Sequence, residues 1–173
     1  MNKNIYSRVG AVEYAKQYAL NPNINFRYFN SHEDGGGDCT NFISQCLLAG
    51  GASMNFVLQP VWWYKKGMSS VFDTCSTSWS VAHSFYWMLK IRSEMNYPGL
   101  KGFEVENIDD LELGDIIQYE NINRRIYHSA IVTSFTFNSG IKEPLISQHS
   151  VNSLNIYYKK KEAVRLHLIK IVI

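Results

Sequence analysis

One cysteine stands where a glycine-rich segment gives way to a helical pattern. Gly35, Gly36 and Gly37 precede Asp38-Cys39, and an apolar pattern typical of a helix begins at Thr40. A cysteine at a helix N-terminus lies beside unpaired backbone N–H groups, and these groups with the helix dipole favour the thiolate. Because the thiolate is the nucleophilic form, Cys39 is a candidate for covalent catalysis. The alternative is a small buried apolar residue at a helix start.

Histidines are the candidate general bases. His128 opens a strand pattern in which it shares one face with small residues such as Ala130, which leave room for a substrate. His149 lies on the next predicted strand, and the two histidines come within hydrogen-bond reach if the register aligns them. The other histidines are interpreted as a residue bordering the cleft (His32), a structural residue (His83) and an exposed residue on the last strand (His167).

The elements that must position these residues change in character along the chain. Helical spacing covers residues 6–20, 40–49 and 81–92. Strand patterns follow at residues 115–119, 126–137, 144–150, 155–159 and 164–173. Helices first and strands afterwards, joined by short turns, predict an α+β fold in which N-terminal helices pack on a mostly antiparallel sheet.

Length and composition exclude several classes of protein. A chain of 173 residues with 18% charged and 14% aromatic residues is typical of one folded domain, expected to span residues 1–173. A net charge of +2 is too small to favour a nucleic-acid partner, and the basic run 159–161 is interpreted as a solvated turn. No run of 18 apolar residues exists, so no membrane partner is expected.

The N-terminus of the chain bears on localisation. Residues 1–5 lack the apolar region of a signal peptide, so we expect a protein that is cytoplasmic as synthesised. Action at a cell wall would then follow secretion by a dedicated machine, or lysis, or the chain could be one domain of a longer protein.

The cysteine pattern favours free thiols. Cys39 and Cys46 are two helical turns apart, about 10 Å, which is too far for a disulfide. Cys75 lies in a loop rich in threonine and serine. Since no metal-ligand spacing is present either, we expect three reduced cysteines, no metal and no other cofactor.

Several motifs in one order carry a resemblance to a known family. They occupy residues 8–15, 36–45, 62–64, 78–79, 113–117, 127–132 and 148–150, and the most specific is Gly37-Asp38-Cys39-Thr40-Asn41-Phe42. Together they resemble the bacterial "putative amidase domain" family, a branch of the papain-like cysteine hydrolases related to the NlpC and CHAP peptidoglycan hydrolases. The resemblance spans nearly the whole chain.

The resemblance implies a papain-like fold with a Cys-His-polar triad. Cys39 would attack a carbonyl carbon to form a thioester acyl-enzyme, and His128 would take the thiol proton and return it to the leaving amine. A third residue would hold the imidazole in the required tautomer. His149 is the expected one. Gln148 is the alternative because adjacent strand residues face opposite sides, and Asn152 is a weaker candidate.

Supporting residues are expected around the triad. The backbone N–H of Cys39 would contribute to an oxyanion hole. Asp38 would either support catalysis or cap the helix that begins at Cys39. The tryptophans Trp62, Trp63 and Trp79 could line a groove for a sugar–peptide polymer, or they could pack the core beneath a long loop.

The function implied by the resemblance is a cysteine amidase or peptidase. Its substrate would be an amide bond, above all in bacterial peptidoglycan, which would make the protein bacteriolytic, and a protein inhibitor could be a further partner. The alternative is a papain-like acyltransferase or deamidase, related in chemistry to transglutaminases, that acts on a protein or another amide, for example as a secreted toxin. A third hypothesis is a wall-binding or partner-binding module without catalysis.

Overall fold

The computed structural model describes residues 5–31 and 36–173, so His32 and Gly35 lie outside the described residues. Helices within these ranges are Arg8–Tyr18 (α1), Cys39–Ala49 (α2), Thr77–Ser80 (α3) and Ala82–Glu94 (α4). The strands are Tyr64–Lys65 (β1), Thr74–Cys75 (β2), Lys101–Val105 (β3), Ile116–Glu120 (β4), Ile126–Asn138 (β5), Ile141–Gln148 (β6), Ser153–Tyr157 (β7) and Arg165–Val172 (β8).

A six-stranded antiparallel sheet dominates the second half of the described chain. Its strand order is β3-β8-β4-β5-β6-β7, so β4 and β5 lie at its centre. A separate antiparallel ribbon joins β1 to β2. The predicted α+β fold with a mostly antiparallel sheet is confirmed. In the described part of the chain no helix is long and apolar enough to cross a bilayer.

The central sheet has apolar residues on both faces. Ile116 of β4 and Ile131 of β5 belong to the cluster that includes Phe42 of α2, so this face of the sheet packs on the helices. Their sequence neighbours Ile117 and Ala130 belong to a second cluster on the opposite face. This alternation places successive residues of β5 in different environments, which decides what His128 can reach.

A β-bulge lies immediately before His128. Tyr119 pairs with His128, whereas Glu120 pairs with Ile126, so Tyr127 is an extra residue in β5. A bulge bends its strand and changes the direction of nearby side chains. Here the bulge turns Ile126 towards the helical face, where it joins the core cluster of α2 and α4.

Strand β3 is not among the predicted strands. Its sequence, Lys-Gly-Phe-Glu-Val, combines a glycine with two charged residues and lacks a clear apolar alternation. Gly102 is needed because a side chain there would collide with Ile169 of β8 and press on Leu89 of α4. Close packing of α4 on the edge of the sheet therefore selects a residue that weakens the strand pattern.

Local start signals are confirmed at one helix and wrong at another. The hydroxyl of Ser7 accepts a hydrogen bond from the N–H of Gly10 at 3.1 Å and so caps α1 as its sequence predicts. The serines before the third predicted helix suggest Ser78 or Ser80 as its cap. In the structure both lie inside the short helix α3, and α4 begins after Val81 without a side-chain cap.

Candidate active site

Cys39 is the first residue of α2, and its position is fixed by the loop before it. Gly37 has a φ of +76°, a conformation that glycine adopts without strain. The next N–H, that of Asp38, donates to the hydroxyl of Ser150 at 2.9 Å. The loop that carries the cysteine is therefore tied to the end of β6, and only 3% of Cys39 is exposed.

The Cys39 sulfur lies against the peptide group that joins His128 to Ser129. The N–H of Ser129 and the N–H of Thr40 both donate to it. The Thr40 hydroxyl lies 3.7 Å from the sulfur. Burial raises the pKa of the Cys39 thiol above its ordinary value, and these three contacts only partly lower it. The expectation that the helix N-terminus favours a resting thiolate is therefore wrong: desolvation outweighs it.

The imidazole of His128 is held by Gln148. Their side chains meet at 2.8 Å, from Nε2 of His128 to Oε1 of Gln148. The amide nitrogen of Gln148 donates to the carbonyl of Val151 at 3.1 Å, which fixes the orientation of the amide. Since Oε1 can only accept, Nε2 of His128 carries the proton and Nδ1 holds the free lone pair. Within residues 5–31 and 36–173, no hydrogen bond occupies Nδ1.

Burial, followed by the positive charge of Lys160, lowers the pKa of His128 to about 4, against a smaller opposing contribution from Gln148. The Lys160 ammonium lies 5.3 Å from the ring centre of Tyr119, whose ring is 5.6 Å from that of His128. Lys160 is thus half-buried beside the site, and the interpretation of the basic run as a solvated turn is wrong for this residue.

His149 does not contact His128, and its expected position beside that imidazole is wrong. Its Nδ1 lies 2.5 Å from a carboxylate oxygen of Asp38, and its Nε2 lies 2.8 Å from the carbonyl oxygen of Tyr18. The ring also stacks on Phe42 of α2. The reason is strand alternation: His149 shares the helical face with Ser129, whereas Gln148 shares the opposite face with His128.

Asp38 accepts hydrogen bonds from three parts of the chain and does not cap α2. One carboxylate oxygen accepts from the N–H of Phe29 at 2.9 Å and from the amide of Asn41 at 2.8 Å, and the other faces His149. No side-chain capping bond is formed at this helix start. Asn152, the weaker candidate for the third residue, accepts instead from the hydroxyl of Tyr28.

Two of the three tryptophans expected in a groove are core residues. Trp62 and Trp79 are at most 1% exposed, and their ring centres lie 4.7 Å apart. The indole of Trp62 donates to Ser44, and that of Trp79 donates to Asn41. Burial with both indole N–H groups paired leaves neither ring a surface for substrate. Trp63 alone is partly exposed.

A cleft of about 360 Å³ opens beside the nucleophile candidate. One wall is formed by the start of α4 and the residue before it, and the other by the β4–β5 hairpin. The lining residues are Gly36, Cys39, Ser80, Val81, Ala82, Asn121, Arg125, Ile126 and Tyr127. In the part of the chain that the structure describes, no group of three or more His, Cys, Asp or Glu side chains could hold a metal ion.

A chain of polar side chains that the sequence reasoning missed begins beside the sulfur, at Thr40. Thr40 contacts Ser129, and Ser129 contacts Gln118, all of them fully buried. A signal was present, because Gln118 interrupts the apolar strand pattern 115–119 with a group that needs partners when buried. His167, interpreted as exposed, is also buried and lies between Glu104 and Glu120.

Comparisons with known proteins give the family of this chain. Residues 5–169 match the family described as "Putative amidase domain". "Uncharacterized protein YhbB" of Bacillus subtilis strain 168 is 35% identical over 132 residues, which cover 75% of this chain and 37% of that protein. "Uncharacterized protein YjcM" of the same strain is 31% identical over 172 residues, which cover 91% of this chain and 34% of that protein.

The chain spans about a third of the length of these curated relatives, and no solved structure matches it. The family match covers nearly all of the 173 residues. The chain therefore belongs to the "Putative amidase domain" family, whose description assigns hydrolysis of amide bonds.

Proposed function

We propose that this protein hydrolyses an amide bond through a cysteine nucleophile. Cys39 attacks the carbonyl carbon, His128 acts as general base and then as general acid, and Gln148 orients the imidazole. The acyl group is held as a thioester on Cys39 until water releases it. The backbone N–H of Cys39, at the start of a helix, supports the developing oxyanion.

The observation that carries the proposal is the hydrogen bond from Nε2 of His128 to Oε1 of Gln148. It selects the tautomer in which Nδ1 is the basic nitrogen, and Nδ1 is the ring nitrogen nearer to the strand backbone. The Cys39 sulfur accepts from the N–H of Ser129, which belongs to the same strand backbone. The sulfur of Cys39 therefore contacts β5 at the residue that follows the base.

The resting site consists of a neutral thiol and a neutral imidazole. Burial raises the pKa of Cys39 and lowers that of His128 to about 4, so neither group is charged near neutral pH. Proton transfer from sulfur to Nδ1 then accompanies attack on the carbonyl, and a preformed ion pair is not required. When a substrate fills the cleft, sulfur attacks its carbonyl carbon as the proton moves to Nδ1. The negative charge then develops on the carbonyl oxygen of the substrate and not on the sulfur.

The substrate class that we propose is the peptide portion of bacterial peptidoglycan. The support is the resemblance of the cysteine, histidine and tryptophan motifs to those of wall hydrolases. The cleft also suits a polar peptide, because Asn121 and the exposed Arg125 form part of its lining. The bond would lie between the sugar lactyl group and the first alanine, within the stem peptide, or in its cross-bridge.

The experiment is digestion of purified peptidoglycan, with the soluble fragments weighed by mass spectrometry. The intact protein should release fragments with new amine and carboxyl ends, and Cys39→Ala should release none. Cys46→Ala is the matched control because it removes a second buried thiol from the same helix. Equal digestion by both variants would contradict a cysteine mechanism.

A second arm distinguishes hydrolysis from acyl transfer. Digestion is repeated with a primary amine in excess over the substrate. Hydrolysis gives only fragments with a free carboxyl end. Transfer gives a conjugate whose mass exceeds that of the free acid by the mass of the amine minus one water. Conjugates as the main product would replace hydrolysis by transferase chemistry on the same nucleophile.

A further inference from the structure

A chain of buried polar side chains leads from the Cys39 sulfur into the sheet. The Thr40 hydroxyl lies 3.7 Å from the sulfur and 3.0 Å from the hydroxyl of Ser129. The Ser129 hydroxyl lies 2.8 Å from the amide nitrogen of Gln118. Thr40, Ser129 and Gln118 are inaccessible to solvent, so these contacts satisfy the two hydroxyl groups and the amide nitrogen, whereas Oε1 of Gln118 has no partner among the described residues.

The direction of the hydrogen bonds follows from the far end of this chain. The Gln118 amide nitrogen also donates to the carbonyl of Ala82 at 3.0 Å, and a carbonyl can only accept. This fixes the amide so that its NH2 group faces Ser129 and donates to the hydroxyl oxygen. The Ser129 hydrogen then points to Thr40, since the described residues place no other acceptor within reach. The Thr40 hydrogen is left for the Cys39 sulfur.

The opposite direction would leave a buried hydrogen unpaired. If the Cys39 thiol donated to Thr40 and Thr40 donated to Ser129, the Ser129 hydrogen would have only the Gln118 amide nitrogen before it. The Gln118 group at that position is a donor, so two hydrogens would face each other. Hydrogen bonds therefore point towards the sulfur, and its own S–H is left for another acceptor.

We propose that Gln118, Ser129 and Thr40 form a one-way hydrogen-bond relay that directs the Cys39 S–H towards His128 and stabilises the thiolate during attack. The proposal rests on the proposed function for the roles of Cys39 and His128. These three are positioning residues: Thr40 touches the sulfur, while Ser129 and Gln118 act by holding the Thr40 hydroxyl in its donating orientation. The N–H groups of Thr40 and Ser129 complete the set of donors at the sulfur.

The test measures the reactivity of the thiol and needs no substrate. In a Cys46→Ala, Cys75→Ala background, iodoacetamide labels Cys39 alone, and the labelling rate against pH gives the pKa of its thiol. Thr40→Val keeps the shape of the side chain and removes the donor. It should slow labelling at neutral pH about tenfold by raising the thiol pKa. Thr40→Ser keeps the hydroxyl and should stay within about twofold of the parent.

Gln118→Met tests the far end of the relay without touching the sulfur. It should slow labelling about threefold, because Ser129 then loses the partner that orients it. The matched control is Thr133→Val, which breaks another buried hydroxyl pair on β5, with Ser147 at 2.7 Å, away from the cysteine. Thr133→Val should leave the labelling profile unchanged.

Either of two outcomes would overturn the relay: an unchanged thiol pKa in folded Thr40→Val and Gln118→Met, or equal slowing in Thr133→Val. If Thr40→Val does not fold, Gln118→Met decides alone. Failure of the relay and failure of the proposed function are separable. Peptidoglycan digestion that survives Cys39→Ala would end the catalytic assignment, and the labelling results would still stand.

Discussion

The carboxylate of Asp38 and the imidazole of His149 lie 2.5 Å apart, although 111 residues separate them in sequence. Each is 1% exposed in its side chain. Both ring nitrogens of His149 face oxygen acceptors, the other being the carbonyl of Tyr18. A carbonyl oxygen can only accept, so Nε2 donates to Tyr18, and Nδ1 forms a hydrogen bond with the Asp38 carboxyl group. This pair clamps the loop before Cys39 to the residues that follow β6.

Loss of His149 should cost stability more than catalytic chemistry. His149→Ala leaves one oxygen of the buried Asp38 carboxyl group without its hydrogen-bond partner, which costs about 1–3 kcal/mol, and it also removes the ring that stacks on Phe42. We expect this loss in the free energy of unfolding measured with urea. His83→Ala is the control, because His83 is a partly exposed residue of α4 and its loss should cost less than about 1 kcal/mol. Equal losses would argue against the clamp.

Gln148 should affect turnover of the enzyme that remains folded. Gln148→Ala frees the His128 ring to rotate and to change tautomer, so we expect kcat to fall about 10- to 100-fold. Gln148→Glu keeps an oxygen acceptor for Nε2 and should retain more activity than Gln148→Ala. The measurement is steady-state hydrolysis of peptidoglycan fragments. A Gln148→Ala enzyme with unchanged kcat would leave His128 without a third residue.

The pH–rate profile should have an unusually acidic lower limb. His128 must be unprotonated to act as a base, and its pKa is lowered from 6.5 to about 4 by burial and by the charge of Lys160. Activity should therefore persist below pH 6 and fall only as the pH approaches 4. Lys160→Gln removes the positive charge, so the limb should move to higher pH. Because thiol and imidazole are coupled, the measured values belong to the pair.

Lys170→Gln is the control for that shift, since Lys170 pairs with Glu112 and not with the site. The acidic limb of the pH–rate profile of Lys170→Gln should coincide with that of the unmodified protein. A limb near pH 6.5 in the unmodified protein would show that His128 is solvated during turnover. The buried resting imidazole would then be contradicted.

Gly37→Ala should damage the loop that carries the cysteine. A side chain at Gly37 must adopt a φ of +76° and would collide with the side chain of Ser150, which holds the N–H of Asp38. Gly140→Ala is a matched control, because Gly140 has a φ of +83° with no atom within 4 Å of the new carbon. Both should lose about 1 kcal/mol from strain.

Only Gly37→Ala should lose more than this, and only it should slow alkylation of Cys39. Thermal unfolding and the labelling rate measure the two effects. Equal behaviour of the two alanine variants would show that the Ser150 contact has no role in placing the nucleophile.

The elements of this fold are predictable from sequence where side-chain periodicity is strong. The first two helices and the strands β4 and β5 have apolar spacing that only one secondary structure satisfies. Strand β3 cannot be predicted in this way. Gly102 is required because Leu89 and Ile169 pack closely around it, and such a tertiary requirement produces no periodic pattern in the sequence. The same holds for α3 and the β1–β2 ribbon, each formed from two to four residues.

The candidate site divides along the same line. Cys39 and His128 can be selected as candidate site residues from the sequence, because one is a cysteine at a predicted helix start and the other a histidine at a predicted strand start. The choice between Gln148 and His149 depends on which face of β6 meets β5. The sequence shows that side chains alternate between the two faces, but it does not show which face each residue occupies. A shift of one residue would place His149 beside His128 and Gln148 beside Asp38.

The Asp38 carboxylate also has a consequence for how this protein moves. It binds the N–H of Phe29, the amide of Asn41 and the ring of His149, so the loop before α2, the first turn of α2 and the residue after β6 meet at one side chain. If any one of them detached, the buried Asp38 carboxyl group would lose a hydrogen bond that no other group in the described residues replaces. The arrangement around Cys39 should therefore be lost only when the whole protein unfolds. The backbone N–H groups of Phe29 and Asp38 should then exchange with deuterium at the rate set by global unfolding.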